Sequence, residues 1–176
     1  MLTITPILIR DHYALIAAMM QALQDSENTF IHKMAAWESI AADYMQHVIS
    51  TQETSDGTCL LAYSDGIPAG FIFGYIEEAD ESRIEDYTGD TLYISDGYVA
   101  PAFRRQGIYR RLNEALEKIY IDKDVRRIVR YTASNNHRMQ QFLASQQYES
   151  VRIVYEKWLT PDGKEQIKLF TEDDRK

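Results

Sequence analysis

Apolar and polar positions along the chain change period several times, and each change marks a predicted element. The opening segment, residues 3–10, alternates imperfectly and is rich in β-branched side chains, which predicts an edge strand that tolerates Pro6 near its start. Residues 12–23 place Leu15, Ile16, Met19, Met20 and Leu23 at helical intervals. Residues 37–49 do the same with Ile40, Ala41, Tyr44, Met45 and Val48, so two amphipathic helices follow the strand. A polar loop over 50–57 leads to two apolar runs, 58–63 and 67–76, separated by Ser64-Asp65-Gly66, and this pairing predicts a hairpin.

Residues 77–90 are too polar to pack and read as an exposed loop or flap. A strand over 91–99 follows, with Gly97 inside it and Pro101 ending it; a glycine there marks a bulge or a close approach to the backbone. From Gly107 onward Ile108, Leu112, Ala115, Leu116 and Ile119 form one stripe, with Arg110, Arg111, Glu114 and Lys118 opposite. A strand over 127–133, a short helix over 136–145 and a final strand or two over 148–159 complete the pattern, and the charged tail 161–176 is expected to fray. Such an order predicts an α/β fold, a mixed sheet with helices on both faces, in a single domain spanning 1–176.

Composition narrows the function classes. A chain of 176 residues, 45 % hydrophobic and 26 % charged, suits one core. A formal charge of −8 argues against a nucleic-acid binder, because phosphate neutralisation needs a basic face. Neither an apolar run of about 20 residues nor a basic, then apolar, leader is visible, so no membrane association is expected and the protein reads as cytoplasmic. Cys59 stands alone, and His12, His32, His47 and His137 show no ligand spacing and read as surface residues, so no metal is predicted. Trp37, Trp158 and most of the tyrosines read as packing residues, while Met19, Met20 and Met34 suit either a helix core or an adaptable groove.

Candidate chemistry concentrates where strand, turn and helix meet, in Val99-Ala100-Pro101-Ala102-Phe103-Arg104-Arg105-Gln106-Gly107-Ile108-Tyr109. The first N–H groups of a helix lack internal partners and the macrodipole adds positive potential, so a phosphate finds donors there. Gly107 has no Cβ to hold a phosphate away, and Arg104, Arg105, Arg110 and Arg111 supply charge. Neither a Gly-Lys-Ser/Thr loop nor a three-glycine dinucleotide fingerprint is present, and on spacing alone a solvated helix cap fits as well.

The same segment resembles the acyl-CoA-binding motif of the GNAT superfamily of N-acyltransferases, Gln/Arg-x-x-Gly-x-Gly/Ala preceded by Val-x-Pro. Val99-Ala100-Pro101 and Arg104-Arg105-Gln106-Gly107-Ile108 match, and Tyr109 replaces the final small residue. Downstream, Asn136, Phe142 and Tyr148 resemble the family's second motif, Asn-x-x-Ala-x-x-Phe-Tyr-x-x-x-Gly-Phe, whereas Met139, Leu143 and Gln147 depart from it. This resemblance implies a mostly antiparallel sheet that splays open between the strands ending at Val99 and near Ala133. Acetyl-CoA as co-substrate would bind along main-chain groups near Tyr98 and Val99 and at Arg104, Arg105, Gln106, Gly107, Ile108 and Tyr109, with Asn136 and Phe142 adding to the site.

The implied reaction is acetyl transfer to a primary amine of a small molecule or an exposed protein amine, by direct attack in a ternary complex; a homodimer is compatible with it. The alternative is a catalytically inactive CoA-binding sensor or interaction module. An ammonium of pKa near 10 must lose a proton before it attacks, so the site needs a base. Tyr93 and Ser95 share one strand face and Asp96 points to the other, unless a bulge beside Gly97 swings its carboxylate round. Asp96, with Tyr93 holding a water, is therefore the candidate base, against a purely structural turn role. Leu143 stands where the family often carries a tyrosine acid, so the thiolate leaves unaided or another tyrosine serves. The carboxylates Glu77, Glu78, Asp80, Glu81, Glu85, Asp86 and Asp90 either attract a cationic acceptor or keep a loop solvated.

Overall fold

The computed structural model describes residues 1–77, 89–157 and 159. Its elements are β1 (Leu2–Ile7), α1 (Tyr13–Ile31), α2 (Trp37–Thr54), β2 (Thr58–Ser64), β3 (Ile67–Glu77), β4 (Thr91–Val99), α3 (Ile108–Ile121), β5 (Arg127–Val129) and α4 (His137–Ser145). The strands lie in the order β1-β2-β3-β4-β5, antiparallel except for the parallel β4–β5 pair. Sequence periodicity explains the layering. Alternate residues of β2 point to opposite sides, with Leu60 and Ala62 packing under α3, and Cys59 and Leu61 packing under α1 and α2. Each face thus buries its own apolar cluster, which is the α/β arrangement with helices on both sides that the pattern predicts. The β2–β3 turn has positive φ at both Asp65 and Gly66, the type that matches strand twist in a two-residue hairpin.

Two irregularities shape the rest. The β3–β4 ladder shifts register between Phe73, opposite Asp96, and Gly74, opposite Ile94, so Ser95 is one residue in excess. Before the bulge Leu92 and Ile94 face α3; after it Asp96 lies in a cavity with Tyr44 of α2, and Tyr98 joins the cluster under α1 and α2. The second irregularity is the β4–β5 pair, which stops at Tyr93 opposite Val129. Beyond it, 94–99 of β4 has no strand partner on that side among the described residues, and the sheet opens.

Several boundaries differ from expectation. β1 ends at Ile7 because Gln52 accepts from the Ile9 N–H and donates to the Ile7 carbonyl, both at 2.8 Å, diverting 9–12 into a short 3-10 turn. α1 runs to Ile31 and α2 to Thr54, past the apolar stripes, since polar residues continue a helix whose packing has already fixed its axis. β5 is three residues long rather than seven. The strand or two expected over 148–159 are absent from 148–157: Val151, Ile153, Val154 and Tyr155 are exposed, with no neighbouring strand to pair with among the described residues, and β propensity without a ladder partner makes no strand. The carboxylates Glu78, Asp80, Glu81, Glu85 and Asp86, the residue Trp158 and the tail 161–176 lie outside the described residues.

Candidate functional site

The start of α3 is built by conformation more than by charge. Arg105 and Gly107 both have positive φ, 65° and 75°, and only the second is a glycine. Gly107 occupies the N-cap position, no side chain caps the helix, and the first intrahelical bond runs from the Arg111 N–H to the Gly107 carbonyl. The N–H groups of Ile108, Tyr109 and Arg110 therefore point out of the helix end without intrahelical acceptors. A Cβ built on Gly107 would meet no atom within 4 Å, so the space over the helix end is open.

Side chains around this turn divide their roles. Arg105 and Gln106 are exposed. Arg104, expected on the phosphate approach, instead folds back: its Nε donates to the Val99 carbonyl at 3.0 Å and its guanidinium lies 5.8 Å from the centre of the Tyr98 ring. The reason is that the Val99 carbonyl, at the end of a half-paired strand, needs a donor. Tyr98, Val99 and Ile108 bury their side chains in the two clusters, so only main-chain groups not already paired, such as the Ile108 N–H, are left for a ligand.

Tyr109, the residue that departs from the motif, turns away from the helix end. Its hydroxyl is bonded to Arg130, its ring meets Phe142 edge-on with centroids 5.1 Å apart, and a Cβ on Gly97 would come within 2.8 Å of the phenol oxygen. Gly97 is thus the place of close approach that a glycine in a strand suggests, and the approaching group is Tyr109 of the same chain. Arg130 also donates to Asn113 Oδ1 at 3.0 Å, and Asn113 donates to Glu117, which takes a second bond from Tyr148. These bonds tie α3 to the segments after β5 and α4. Asn136 caps α4 by accepting from the Met139 N–H at 3.1 Å. Leu143 is half-buried in α4.

On the opposite face of β4 the bulge gathers a second group. Asp96 is 6 % exposed and accepts from the Tyr44 hydroxyl at 2.6 Å and the Ser95 hydroxyl at 2.7 Å. Burial pushes its pKa up, against the opposing pull of those two bonds and of His47. Tyr93, Ser95 and Asp96 line one cavity with Tyr44, His47 and Tyr75, so the register shift puts all three on one side rather than splitting them. Burial, then the neighbouring Tyr75 and Asp96, raises the Tyr93 phenol to about 12. Its ring packs between those of Tyr75 and Tyr131, at 5.4 and 5.6 Å. Glu27 of α1 is half-buried and likewise pushed up, first by burial and then by Asp96.

Sequence reasoning missed Glu27, Tyr44 and His47 as site residues. Met20, Leu23, Gln24 and Glu27 form one helical stripe that turns from apolar to polar, a signal cut off by ending the helix at Leu23. Tyr44 and His47 stand three apart on α2, and neither spacing nor composition tells a packing tyrosine from one that bonds a carboxylate 52 residues away. Among the described residues no group of three or more His, Cys, Asp or Glu side chains is arranged to hold a metal ion, and no helix is long and apolar enough to cross a membrane.

Comparisons with known proteins bear on the family and the fold. The model of the acetyltransferase (GNAT) family matches residues 16–147. Among solved structures, the aminoglycoside N-acetyltransferase AAC(6')-Iy, in complex with the bisubstrate analogue CoA-S-monomethyl-acetylneamine, superposes with a TM-score of 0.65 at 14 % identity, over 91 % of this chain and 99 % of that one. A GCN5-related N-acetyltransferase from Ralstonia eutropha JMP134 gives a TM-score of 0.70 at 16 % identity, over 90 % and 99 %. The aminoglycoside acetyltransferase meta-AAC0020 from an uncultured soil metagenomic sample, in complex with sisomicin, gives 0.63 at 18 % identity, over 90 % and 95 %. At these identities the likeness is one of fold. No curated protein sequence matches the chain.

Proposed function

Because this chain belongs to the GNAT family of acetyltransferases, whose co-substrate is acetyl-CoA, we propose that it moves an acetyl group from acetyl-CoA to a small-molecule primary amine. The observation that carries the reading is the placement of Asp96. It is a buried carboxylate with a raised pKa, at the bulge of β4, beside the point where the sheet opens. A carboxylate with a raised pKa is a stronger base than an exposed one, and general bases are commonly tuned in this way.

The residues present fit acetyl-CoA. Open space over Gly107, three unpaired N–H donors and the exposed Arg105 suit a pyrophosphate, and the unpaired edge of β4 near Tyr98 and Val99 suits an extended amide-bearing arm. Gln106 and the main chain of Ile108 and Tyr109 complete the turn, while Arg104 acts by holding the end of β4. Asn136 and Phe142 contribute by fixing α4 and the Tyr109 ring beside that edge. Acetyl-CoA supplies the acetyl group as an activated thioester.

At the acceptor side, Asp96 takes the ammonium proton directly or through a water held by Tyr93, which keeps its own proton at neutral pH because its pKa is near 12. A thiol of pKa near 8.5 is a tolerable leaving group without an acid, which accommodates Leu143 in place of a tyrosine. The aminoglycoside-binding neighbours favour an amine acceptor in general terms. The test is release of free CoA thiol from acetyl-CoA across a panel of primary amines. Amine-dependent release with a mass increase of the amine by one acetyl group is expected. Binding of acetyl-CoA with no release on any amine would replace the reading by an inactive CoA-binding module.

A further inference from the structure

Between α1 and α2, sharing Tyr44 and Asp96 with the cavity that Tyr93 lines, lies a cleft of about 210 Å³. Its walls are Met20, Leu23, Met34, Trp37 and Ile40, while Gln24, Glu27, Tyr44 and Asp96 add the polar atoms. The helix stripe 20, 23, 24, 27 on α1 explains the layout, because one face of one helix supplies both the apolar wall and the acceptors.

The polar atoms in this cleft are nearly all acceptors. Glu27 has no hydrogen bond or ion pair among the described residues, and its carboxylate lies near enough to Asp96 for that charge to oppose its ionisation. Gln24 donates Nε2 to the Ala35 carbonyl at 2.7 Å, and its Oε1 is buried with no partner. Asp96 has two bonds of the roughly four a carboxylate can accept, and the Tyr44 hydroxyl is already committed to it. Among the described residues no Lys, Arg or His lines the cleft. Two carboxylates and an unpartnered amide oxygen therefore face a space into which the described residues put no cation, and buried acceptors are satisfied only by donors.

The walls limit what carries those donors. A polyhydroxylated or polycationic molecule would lay its own polar groups against Met20, Leu23, Met34 and Ile40, where nothing pairs with them. The volume lies below the roughly 300–1,000 Å³ of ordinary small-molecule pockets, which suits one ring or a short alkyl chain rather than several sugar rings. Methionine walls adapt to an apolar body, and the Trp37 ring, edge-on to Tyr44 at 6.2 Å, offers an aromatic surface beside the acceptors.

We propose that this cleft selects the acceptor as a monoamine with an apolar aryl or alkyl body, its ammonium received by Glu27, Gln24 and Asp96 and its body lying against Met20, Leu23, Met34 and Ile40. This rests on reading the site as an amine acetyltransferase, and the experiment separates the two. Phenethylamine is titrated by calorimetry into the protein, alone and with free CoA, which carries no acetyl group to give; the same titration is run on Glu27→Gln and Met34→Ser, both checked for a native melting transition. In parallel, kcat/KM is compared for phenethylamine, spermidine and neamine. Binding by wild type, weakened at least tenfold in Glu27→Gln and several-fold in Met34→Ser, with kcat/KM highest for phenethylamine, is the expected result. Turnover of spermidine or neamine with no phenethylamine binding would overturn the cleft assignment and leave the acetyltransferase reading intact. Phenethylamine binding that depends on Glu27, with no thiol release on any amine, would uphold the cleft and overturn the acetyltransferase reading. Binding indifferent to both substitutions overturns the assignment as well.

Discussion

The two faces of β4 differ in charge and in how they are assembled. Toward α3, the strand presents Gly97, covered by the Tyr109 ring, whose hydroxyl is bonded to Arg130, itself bonded to Asn113. Toward α1 and α2, it presents Tyr93 and Asp96, with Glu27 close by. One extra residue, Ser95, separates the two regimes, because without the bulge Asp96 would point under α3 into an apolar cluster. There its carboxylate would lack the Tyr44 bond and face a steep desolvation cost. The lesson is that a single register shift lets one strand serve the proposed phosphate-binding side and the proposed amine-binding side without mixing their charges.

The strongest way to break the comparison is Asp96→Asn. It keeps the shape and the possibility of bonds to Tyr44 and Ser95 but removes the basic charge, so kcat should fall about a hundredfold or more, near 2.7 kcal/mol in the barrier. Stability should move the other way. The folded pKa of Asp96 is raised, so the folded state favours the protonated form. Below the ordinary carboxylate pKa that preference costs nothing; as pH rises through the folded pKa, the buried charge increasingly weakens the fold. The melting temperature of Asp96→Asn should therefore exceed that of wild type at neutral pH and converge with it in acid, read by thermal denaturation at several pH values. A variant with normal kcat across pH 6 to 9 would remove Asp96 as the base.

The α3 face is sharpened by a smaller effect. Gly97→Ala puts a methyl group 2.8 Å from the Tyr109 hydroxyl and 2.9 Å from its ring, and Arg130 and Phe142 hold that ring in place. Overpacking of this kind costs about 1–3 kcal/mol. In Tyr109→Ala the obstacle is gone, so adding Gly97→Ala should cost only a few tenths of a kcal/mol more, a coupling that a double-mutant cycle in denaturant measures directly. Equal costs of Gly97→Ala in both backgrounds would show that Tyr109 does not constrain Gly97.

These two faces were unequally legible in the sequence. Everything about the α3 end is local: Val99, Pro101 and Gly107 lie within nine residues, and the turn they make follows from a proline, a glycine and the onset of helical periodicity. Even there, the destination of Arg104 was not readable, since both a phosphate and a bare carbonyl attract a guanidinium. The α1 and α2 face is assembled from residues 27, 44, 47, 93 and 96, and no spacing along the chain connects them. The bulge that aligns Tyr93 with Asp96 was anticipated near Gly97 but lies at Ser95, because bulges answer to the partner strand as much as to their own residues. The missing strands after Tyr148 teach the same point from the other side, as Val151 to Tyr155 carries the right residue types and no ladder.

The division of labour across β4 is tested most directly by the acetyl-CoA dissociation constant of Gly107→Val and Asp96→Asn, measured side by side with wild type by calorimetry. A valine at Gly107 projects into the open space over the helix end and opposes a φ of 75°, so its dissociation constant should rise more than tenfold, above about 1.4 kcal/mol. Asp96→Asn, on the other face, should leave it unchanged. An unaltered affinity in folded Gly107→Val, or an equal loss in both variants, would contradict the account.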